Sequence, residues 1–251
     1  MTEPCRESQK PLPWDSRHSS QPVGAISDRP APSFWRSLST AVRTELSAPA
    51  DARRYARGQE LLSSDMCCEK VLIIRSGWAK AAGKTPAGRR EVTLRLHGPG
   101  EPVGDDVAMA GRPARTDVTA VTEIHALAVP AAHFVSVVTE HPDAARALHR
   151  LGEDRLHYAD QRTILATADG VVRIAHLLLE LCGRYGTLGP DGVTIPVPLT
   201  QAEFGTWAGT SRKTVVRALS RMREDRLIST GRLTITITDP ARLARHVSES
   251  I

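Results

Sequence analysis

A short run of cations near the end of the chain has the composition and spacing of a nucleic-acid contact. The segment SRKTVVRALSRM begins at Ser211, and helical periodicity gathers its apolar residues on one side: Val215, Ala218, Leu219 and Met222. Lys213 and Arg217 fall on the opposite side, and Arg212 lies in the exposed first turn. A helix that buries one apolar stripe and presents cations outward fits a DNA major groove, where Arg and Lys bind guanine or phosphates.

Cationic surface helices are usually only solvated, so the neighbouring residues decide the interpretation. Thr200 and Glu203 have the spacing of a capping box at the start of a preceding helix. Gly209-Thr210 then forms a tight turn, and Ser211 can cap the second helix. This helix-turn-helix spacing favours DNA binding over a solvated face. The predicted DNA-binding residues are Thr210, Ser211, Arg212, Lys213, Thr214 and Arg217.

A predicted β-hairpin follows the second helix. Leu227-Ile228 precedes a turn at Thr230-Gly231, after which apolar residues alternate at Leu233, Ile235 and Ile237. This hairpin would be the wing of a winged helix, and a short helix is expected from 242 to 247. From Val171 to the last residue the chain has 11 Lys and Arg against 7 Asp and Glu, so most of its net charge of +5 lies here. That distribution supports DNA binding, since phosphate neutralisation supplies much of the affinity.

A second candidate site lies in the loop GPGEPVGDDVAMAGRPARTDVTAV, residues 98–121. Backbone N–H groups near Gly104, the Arg115 guanidinium and the Thr116 hydroxyl could surround a phosphate. The Asp105 carboxylate would then accept a sugar hydroxyl or hold Arg115. Glycine-rich loops with an Asp–Arg pair are also common as ordinary turns, so the pattern alone leaves both interpretations open.

The remaining patterns predict an α+β chain with a small N-terminal β-barrel or jelly roll, a long connecting helix and the winged helix. One amphipathic helix is expected from Ser33 to Leu46, with Phe34, Leu38, Val42 and Leu46 at steps of four. Gly/Pro turns, including one at 85–88, separate short predicted strands that indicate the barrel, at 71–74, 78–82, 92–96, 117–121 and 124–129. Within the long helix Arg155 and Arg162 interrupt the apolar seam, so a strict heptad coiled coil is not supported. The expected segments are a flexible tail at 1–32, the barrel at 33–141, the helix at 142–168 and the DNA-binding domain at 169–251.

The composition narrows the class of protein. The 251 residues contain no apolar run of membrane-spanning length and no signal-peptide pattern, so we expect a cytoplasmic protein without a membrane partner. The four cysteines, which include adjacent Cys67 and Cys68, lack CxxC or zinc spacing, and reduced thiols are expected. The sequence shows neither a nucleophile–base spacing nor a metal-binding motif, so we do not expect an enzyme.

The order of barrel, long helix and winged helix resembles the Crp/Fnr superfamily of bacterial transcription regulators over residues 34–247. The most specific match is LTQAEFGTWAGTSRKTVVRALSRM with Leu227-Ile228 and ITITD behind it. The resemblance implies a homodimer that binds a palindromic operator, with RNA polymerase as a further partner. Arg212 and Arg217 match arginines that the family uses on bases and phosphates. Lys213 stands where several members have a glutamate that reads cytosine, which implies a different operator and a contact to guanine or phosphate.

The resemblance extends to the cyclic-nucleotide-binding fold, where VGDDVAMAGRPARTDVTAV is similar to the phosphate-binding cassette. Gly104, Arg115 and Thr116 match the cassette, whereas Asp105 replaces a glutamate and Asp106 adds a negative charge. The chain has Tyr158-Ala159-Asp160 roughly where the cyclic AMP receptor supplies hydroxyls to adenine. A cyclic nucleotide, another effector or no ligand therefore all remain open. The clustered N-terminal cysteines of iron–sulfur members are absent, so no metal or iron–sulfur cluster is expected.

Two other functions remain open at this point. The barrel could serve mainly as a cyclic-nucleotide signalling module, with DNA contact incidental. Alternatively, Cys67 and Cys68 could form a thiol redox switch that acts together with DNA binding.

Overall fold

The computed structural model describes residues 33–84 and 91–248, with side chains as far as residue 245. The predicted tail at 1–32 and the predicted turn at 85–88 lie outside the described residues. The first half of the chain forms two four-stranded antiparallel sheets. Their strands are β1 Asp51–Tyr55, β2 Glu60–Leu62, β3 Lys70–Ser76, β4 Ala79–Lys84, β5 Glu91–His97, β6 Pro102–Val103, β7 Asp117–Ala120 and β8 Ile124–Pro130.

The two sheets have the orders β1-β8-β3-β6 and β2-β7-β4-β5 and enclose one apolar core. Val71 to Ile74 in β3 are all buried, because this strand is covered on both faces. Small residues such as Ala79, Ala81 and Ala126 fill the space between the sheets. The predicted strands in β3, β4, β5, β7 and β8 are confirmed, and the N-terminal barrel with them. Strands β1, β2 and β6 were not predicted.

The N-terminal segment contains two helices, α1 Phe34–Ser37 and α2 Thr40–Ser47, rather than the single predicted helix. The chain is extended at Leu38 and Ser39, and the Ser39 hydroxyl accepts a hydrogen bond from the Val42 N–H. A serine that satisfies a free N–H in this way starts a new helix. The predicted apolar positions are nevertheless buried against a helix that was not predicted, α4 Ala131–Glu140.

One further helix lies within the barrel, and another leads from it to the rest of the chain. The short helix α3 Asp105–Ala110 lies within the candidate effector loop. The long helix α5 Pro142–Ile164 begins at the predicted residue, and a 3₁₀ turn at Leu165–Thr167 ends it. Its buried residues are Ala144, Ala147 and Leu151. The apolar seam that the sequence predicts therefore begins by packing on the barrel of the same chain.

The C-terminal region is a winged helix with a third antiparallel sheet of order β11-β12-β10-β9. Asp169 caps its first helix by accepting from the Val171 N–H. Leu233 is exposed, with φ of +58°, so it lies in the wing turn and the prediction that it belongs to the strand was wrong. The elements are α6 Gly170–Tyr185, β9 Thr187–Gly189, β10 Gly192–Pro196, α7 Gln201–Trp207, α8 Arg212–Glu224, β11 Ile228–Gly231, β12 Thr234–Ile237 and α9 Pro240–Ser248.

The turn between β3 and β4 generates a test of the barrel geometry. Gly77 has φ of +90°, and a Cβ atom there would lie 2.1 Å from the Glu123 carbonyl oxygen. Gly58 has φ of +82°, but a Cβ atom there would meet nothing within 4 Å. We expect Gly58→Ala to lower the free energy of unfolding by about 1 to 2 kcal/mol through backbone strain alone. Gly77→Ala should lower the free energy of unfolding by more than Gly58→Ala does, because the new Cβ atom also clashes with the Glu123 carbonyl oxygen. Thermal unfolding followed by calorimetry measures both losses, and equal losses would contradict the described turn.

Candidate nucleic-acid interface and its connection to the barrel

The helix-turn-helix is built by local hydrogen bonds at each helix start. The Thr200 N–H donates to Glu203 Oε2 at 2.8 Å, and the Glu203 N–H donates to Thr200 Oγ1 at 3.2 Å, which is the predicted capping box. Gly209 adopts φ of +63° in the turn. The Thr210 N–H then donates to the Gly205 carbonyl at 2.8 Å, so the backbones of helix and turn lie against each other.

Helix α8 has the two faces that the sequence predicts. Val215, Ala218 and Met222 are fully buried. The predicted DNA-binding cations Arg212, Lys213 and Arg217 are exposed on the same helix. No hydrogen bond or ion pair joins any of these three side chains to another described residue. Their charges are therefore available to a polyanion.

Two of the three predicted hydroxyl residues hold the start of α8. The Ser211 Oγ accepts from the Thr214 N–H at 3.1 Å and lies 3.0 Å from the Thr214 Oγ1. Thr210 is half-buried, where a Cβ atom on Gly170 would lie 2.8 Å from its Oγ1. In this arrangement Ser211 and Thr214 define where the helix begins, while the cations project beyond it.

Arg173 was not predicted and connects the turn to the preceding helices. Its Nε donates to the Ala208 carbonyl at 2.8 Å and its Nη2 to that of Gly209 at 3.1 Å. Its Nη1 donates to the carbonyls of Ala166 and Ala168 at 3.0 and 2.7 Å. One guanidinium thus joins the end of the long helix to the helix-turn-helix turn. In the sequence its only signal is a cation in the first turn of an otherwise apolar helix segment.

The candidate effector loop contains a buried ion pair that the sequence analysis missed. Gly104 has φ of +84° and starts α3, and Asp105 follows it with 2% of its surface exposed. Arg155 on α5 donates to both Asp105 carboxylate oxygens, at 2.7 and 3.2 Å, and to the Pro102 carbonyl at 3.2 Å. The suggestion that Asp105 would hold Arg115 was therefore wrong. Arg155, which interrupts the predicted seam, faces the barrel.

The pKa of Arg155 shows that this ion pair is electrostatically favourable. Burial alone would lower the pKa of the guanidinium, but the surrounding carboxylates, Asp105 before Glu101 and Asp106, together raise it. The pair is bidentate, the geometry in which a guanidinium and a carboxylate bind most specifically.

The other predicted effector residues take no part in this pair. Arg115 is exposed and Thr116 is half-buried, and neither side chain has a hydrogen bond or ion pair with a described residue. Cys68 donates its thiol to the Gly104 carbonyl at 3.2 Å. Burial, together with the nearby Asp106 carboxylate, raises the pKa of the Cys68 thiol, which disfavours the reactive thiolate.

A buried polar network joins the barrel to α6 of the winged helix. The Arg184 Nη2 lies 2.7 Å from Glu101 Oε1 and 3.1 Å from the Leu96 carbonyl, and its Nη1 lies 3.2 Å from Glu180 Oε1. The Tyr185 hydroxyl donates to Glu101 Oε1 at 2.7 Å. Glu101 and Glu180 are 4% and 1% exposed, so both carboxylates depend on Arg184 for compensation.

Helix α5 contributes to the same network. The Arg162 Nη1 donates to the Leu94 carbonyl, and its Nε lies 3.9 Å from Glu180 Oε2. Beside it, Arg95 donates to the His97 Nε2 at 3.2 Å. Burial, aided by the Arg95 charge, holds the pKa of His97 well below its usual value, so the ring is neutral and can accept this bond.

Burial alone would lower the pKa of the Arg184 guanidinium, but the carboxylates of Glu101 and Glu180 raise it well above its usual value. Burial raises the pKa of the Tyr185 hydroxyl well above its usual range, so this group remains a donor.

Comparison with known proteins agrees with both halves of the molecule. A family model described as a Crp-like helix-turn-helix domain matches residues 172–246, and one described as a cyclic nucleotide-binding domain matches residues 52–141. The chain belongs to the Crp/Fnr superfamily of transcription regulators. It combines a DNA-binding helix-turn-helix with a barrel of the cyclic-nucleotide-binding type.

Individual relatives are similar over most of the chain. A CRP-like cAMP-activated global transcriptional regulator of Mycobacterium tuberculosis is 28% identical over 193 residues, 76% of this chain and 86% of that protein. A global nitrogen regulator of Synechococcus elongatus is 26% identical over 80% of this chain and 91% of that protein. The structure of FixK2 from Bradyrhizobium japonicum superposes with a TM-score of 0.67 at 22% identity, covering 78% of this chain and 96% of that one.

These relatives are transcription regulators rather than enzymes, and regulators of the Crp family bind DNA and act as dimers. No helix in the described part of this chain is long and apolar enough to cross a membrane.

The buried network generates a stability test. Arg184→Met leaves Glu101 and Glu180 buried without their guanidinium, and removal of one partner of a buried ion pair costs about 3 to 5 kcal/mol. The matched control is Arg221→Met, which removes an exposed arginine lying 4.0 Å from Asp225 and should cost no more than about 1 kcal/mol. Urea unfolding of both variants measures the difference. If Arg184→Met were as stable as the control, the network would not hold the two domains together.

Proposed function

We propose that the protein is a homodimer that binds a two-fold symmetric DNA operator and regulates transcription from it. One α8 helix of each protomer would enter the major groove, in two grooves about one helical turn apart. The observation that carries this proposal is the division of α8 between a fully buried apolar face and the exposed cations Arg212, Lys213 and Arg217. The membership of the Crp/Fnr superfamily supports it independently.

The outward face of α5 fits a dimer seam. It carries residues at alternating steps of four and three, all exposed: Ala145, His149, Gly152, Leu156, Ala159 and Thr163. Leu156 is 57% exposed although it is a large apolar residue. This heptad spacing suits a second copy of the same helix. It lies away from the side on which Ala147 and Leu151 pack against the barrel.

The residue types on α8 indicate how the operator would be read. We propose that Arg212 and Arg217 contact bases and phosphates, and that Lys213 contacts guanine or phosphate. Thr210, Ser211 and Thr214 would approach the phosphate backbone at the start of the helix, where free N–H groups attract anions. Bound at a promoter in the cytoplasm, the dimer would meet RNA polymerase, which we propose as its protein partner.

Substitution of Arg217 tests the interface with DNA. Arg217→Ala should weaken binding to the cognate operator by about 10- to 100-fold, since a specific arginine contact contributes about 1 to 3 kcal/mol. The control is Arg53→Ala, which removes the same charge from an exposed position in the barrel. The operator is first located by genome-wide mapping of bound DNA, and fluorescence anisotropy then gives both affinities. Equal affinity of Arg217→Ala and wild type for the operator would exclude α8 as the recognition helix.

We further propose that a small effector binds the barrel at Gly104, Asp105, Arg115 and Thr116. The exposed guanidinium of Arg115, free of described partners, supports an anionic ligand such as a cyclic nucleotide. The M. tuberculosis relative is described as cAMP-activated, which supports a ligand of this class. Arg155 already donates to both oxygens of Asp105. The ligand must therefore contact Asp105 while Arg155 stays bound, or displace Arg155 from it.

Calorimetric titration with cyclic AMP, cyclic GMP and cyclic dinucleotides tests this effector site. For the nucleotide that binds, Arg115→Ala should weaken the affinity by about 10- to 100-fold, since a charge-assisted hydrogen bond contributes about 1.5 to 3 kcal/mol. Arg112→Ala is the matched control, because Arg112 is an exposed arginine of the same loop. Binding that is insensitive to Arg115→Ala, or no binding of any of these nucleotides, would overturn the effector proposal and leave the DNA-binding proposal intact.

A further inference from the structure

A small cavity lies directly behind the helix-turn-helix turn, away from the effector loop. It has a volume of about 260 Å³ and is bounded by the end of α5, the 3₁₀ turn, α6 and the end of α7. Its walls include Leu165, Arg173, His176, Leu177 and Trp207. This volume lies just below the range of about 300 to 1,000 Å³ that is usual for drug-sized ligands, so the cavity suits a smaller molecule.

Two side chains on the cavity wall are buried without hydrogen-bond partners. His176 is 6% exposed and Trp207 is 4% exposed. Neither ring nitrogen of His176, nor the Nε1 of Trp207, has a hydrogen-bond partner among the described residues. Buried polar groups in proteins nearly always have such a partner, so three orphaned nitrogens around one cavity point to an occupant.

The hydrogen-bond donors and charges on the cavity wall determine which class of ligand can bind there. An indole nitrogen can only donate, and a neutral imidazole donates from one nitrogen. Burial, together with the Arg162 charge, lowers the pKa of His176 to about 4, so the ring is neutral at pH 7. Arg162 and Arg173 line the cavity, and none of its described lining residues is acidic. The site therefore offers hydrogen-bond donors in a positive field.

The rest of the wall is apolar. Leu165 and Leu177 are 4% and 1% exposed, and Ala208 adds a further apolar contact. Arg173 already donates to four backbone carbonyls, so it supplies positive charge rather than free donors. An occupant with one anionic group and an apolar body would match both parts of the wall.

We propose that this cavity binds a small organic carboxylate, with its oxygens accepting from Trp207 and His176 and its apolar body against Leu165 and Leu177. The site is separate from the effector loop of the barrel. It touches Ala208 and Gly209, the same turn residues that Arg173 ties to the end of the long helix. A bound ligand would fill the junction between the long helix and the helix-turn-helix. It would therefore be a second small molecule able to regulate the protein.

Indole resonances provide a direct test with benzoate as the probe. The chain contains four tryptophans, Trp14, Trp35, Trp78 and Trp207, so ¹⁵N-labelled protein shows four indole N–H signals. Benzoate should shift the Trp207 signal saturably, with a Kd of about 1 mM or lower. Benzamide, a neutral molecule of the same shape, should bind at least about tenfold more weakly, which corresponds to the loss of a charge-assisted interaction.

The assignment does not depend on a single variant. Trp207→Phe removes the signal directly, and Trp14→Phe, Trp35→Phe and Trp78→Phe assign it by elimination if Trp207→Phe fails to fold. His176→Leu should weaken the affinity for benzoate. An unchanged Trp207 signal at saturating benzoate means that solvent alone fills the cavity and overturns the proposal. Equal affinities for benzoate and benzamide would contradict the proposal that the cavity binds an anion. Neither result bears on operator binding.

Discussion

The contact between Arg184 and the carboxylates of Glu101 and Glu180 holds this molecule in its described arrangement. Glu101 belongs to the barrel, whereas Glu180 and Arg184 belong to the first helix of the winged helix. Because both carboxylates are buried, the charges are tolerated only while the guanidinium lies between them. A polar contact of this kind defines the relative position of two domains more sharply than an apolar surface, which tolerates sliding.

The long helix is attached to the barrel by the same means. Arg155 and Arg162 lie seven residues apart, so they project from nearly the same side of α5. Both donate to backbone carbonyls of the barrel, those of Pro102 and Leu94. These arginines are what break the apolar seam in the sequence. Their contacts explain the break, since the inner side of the helix first packs Ala144, Ala147 and Leu151 and then continues with these two polar attachments. The exposed outer side is the one proposed above to meet a second helix.

Local periodicity accounts for what could be predicted from the sequence. The capping box at Thr200, the two faces of α8 and the buried run of β3 all depend on residues within a few positions of one another. Strand β1 was missed because four of its five residues are exposed and show no alternation. The break between α1 and α2 was missed because apolar residues recur at every fourth position on both sides of Ser39, as they would in one continuous helix.

Contacts between distant residues could not be predicted in this way. Arg184 and Glu101 are 83 positions apart, and Arg155 and Asp105 are 50 apart. Charged residues in a sequence show no preference for a partner at such distances, and only the folded backbone brings these pairs together. For the same reason the nearer Arg115 was one of two partners suggested for Asp105, whereas the carboxylate pairs with Arg155. Arg217 and its neighbours lie on one helix, so their common exposed face could be predicted.

The ion pair between Asp105 and Arg155 has a consequence for sensitivity. The carboxylate in the barrel loop already has a ligand, supplied by the same chain at a fixed local concentration. A molecule from solution that needs this carboxylate competes with that guanidinium, so its apparent dissociation constant equals the intrinsic value divided by the fraction of chains in which the pair is open. For the effector proposed above, a stronger pair would therefore raise the concentration needed to occupy the site.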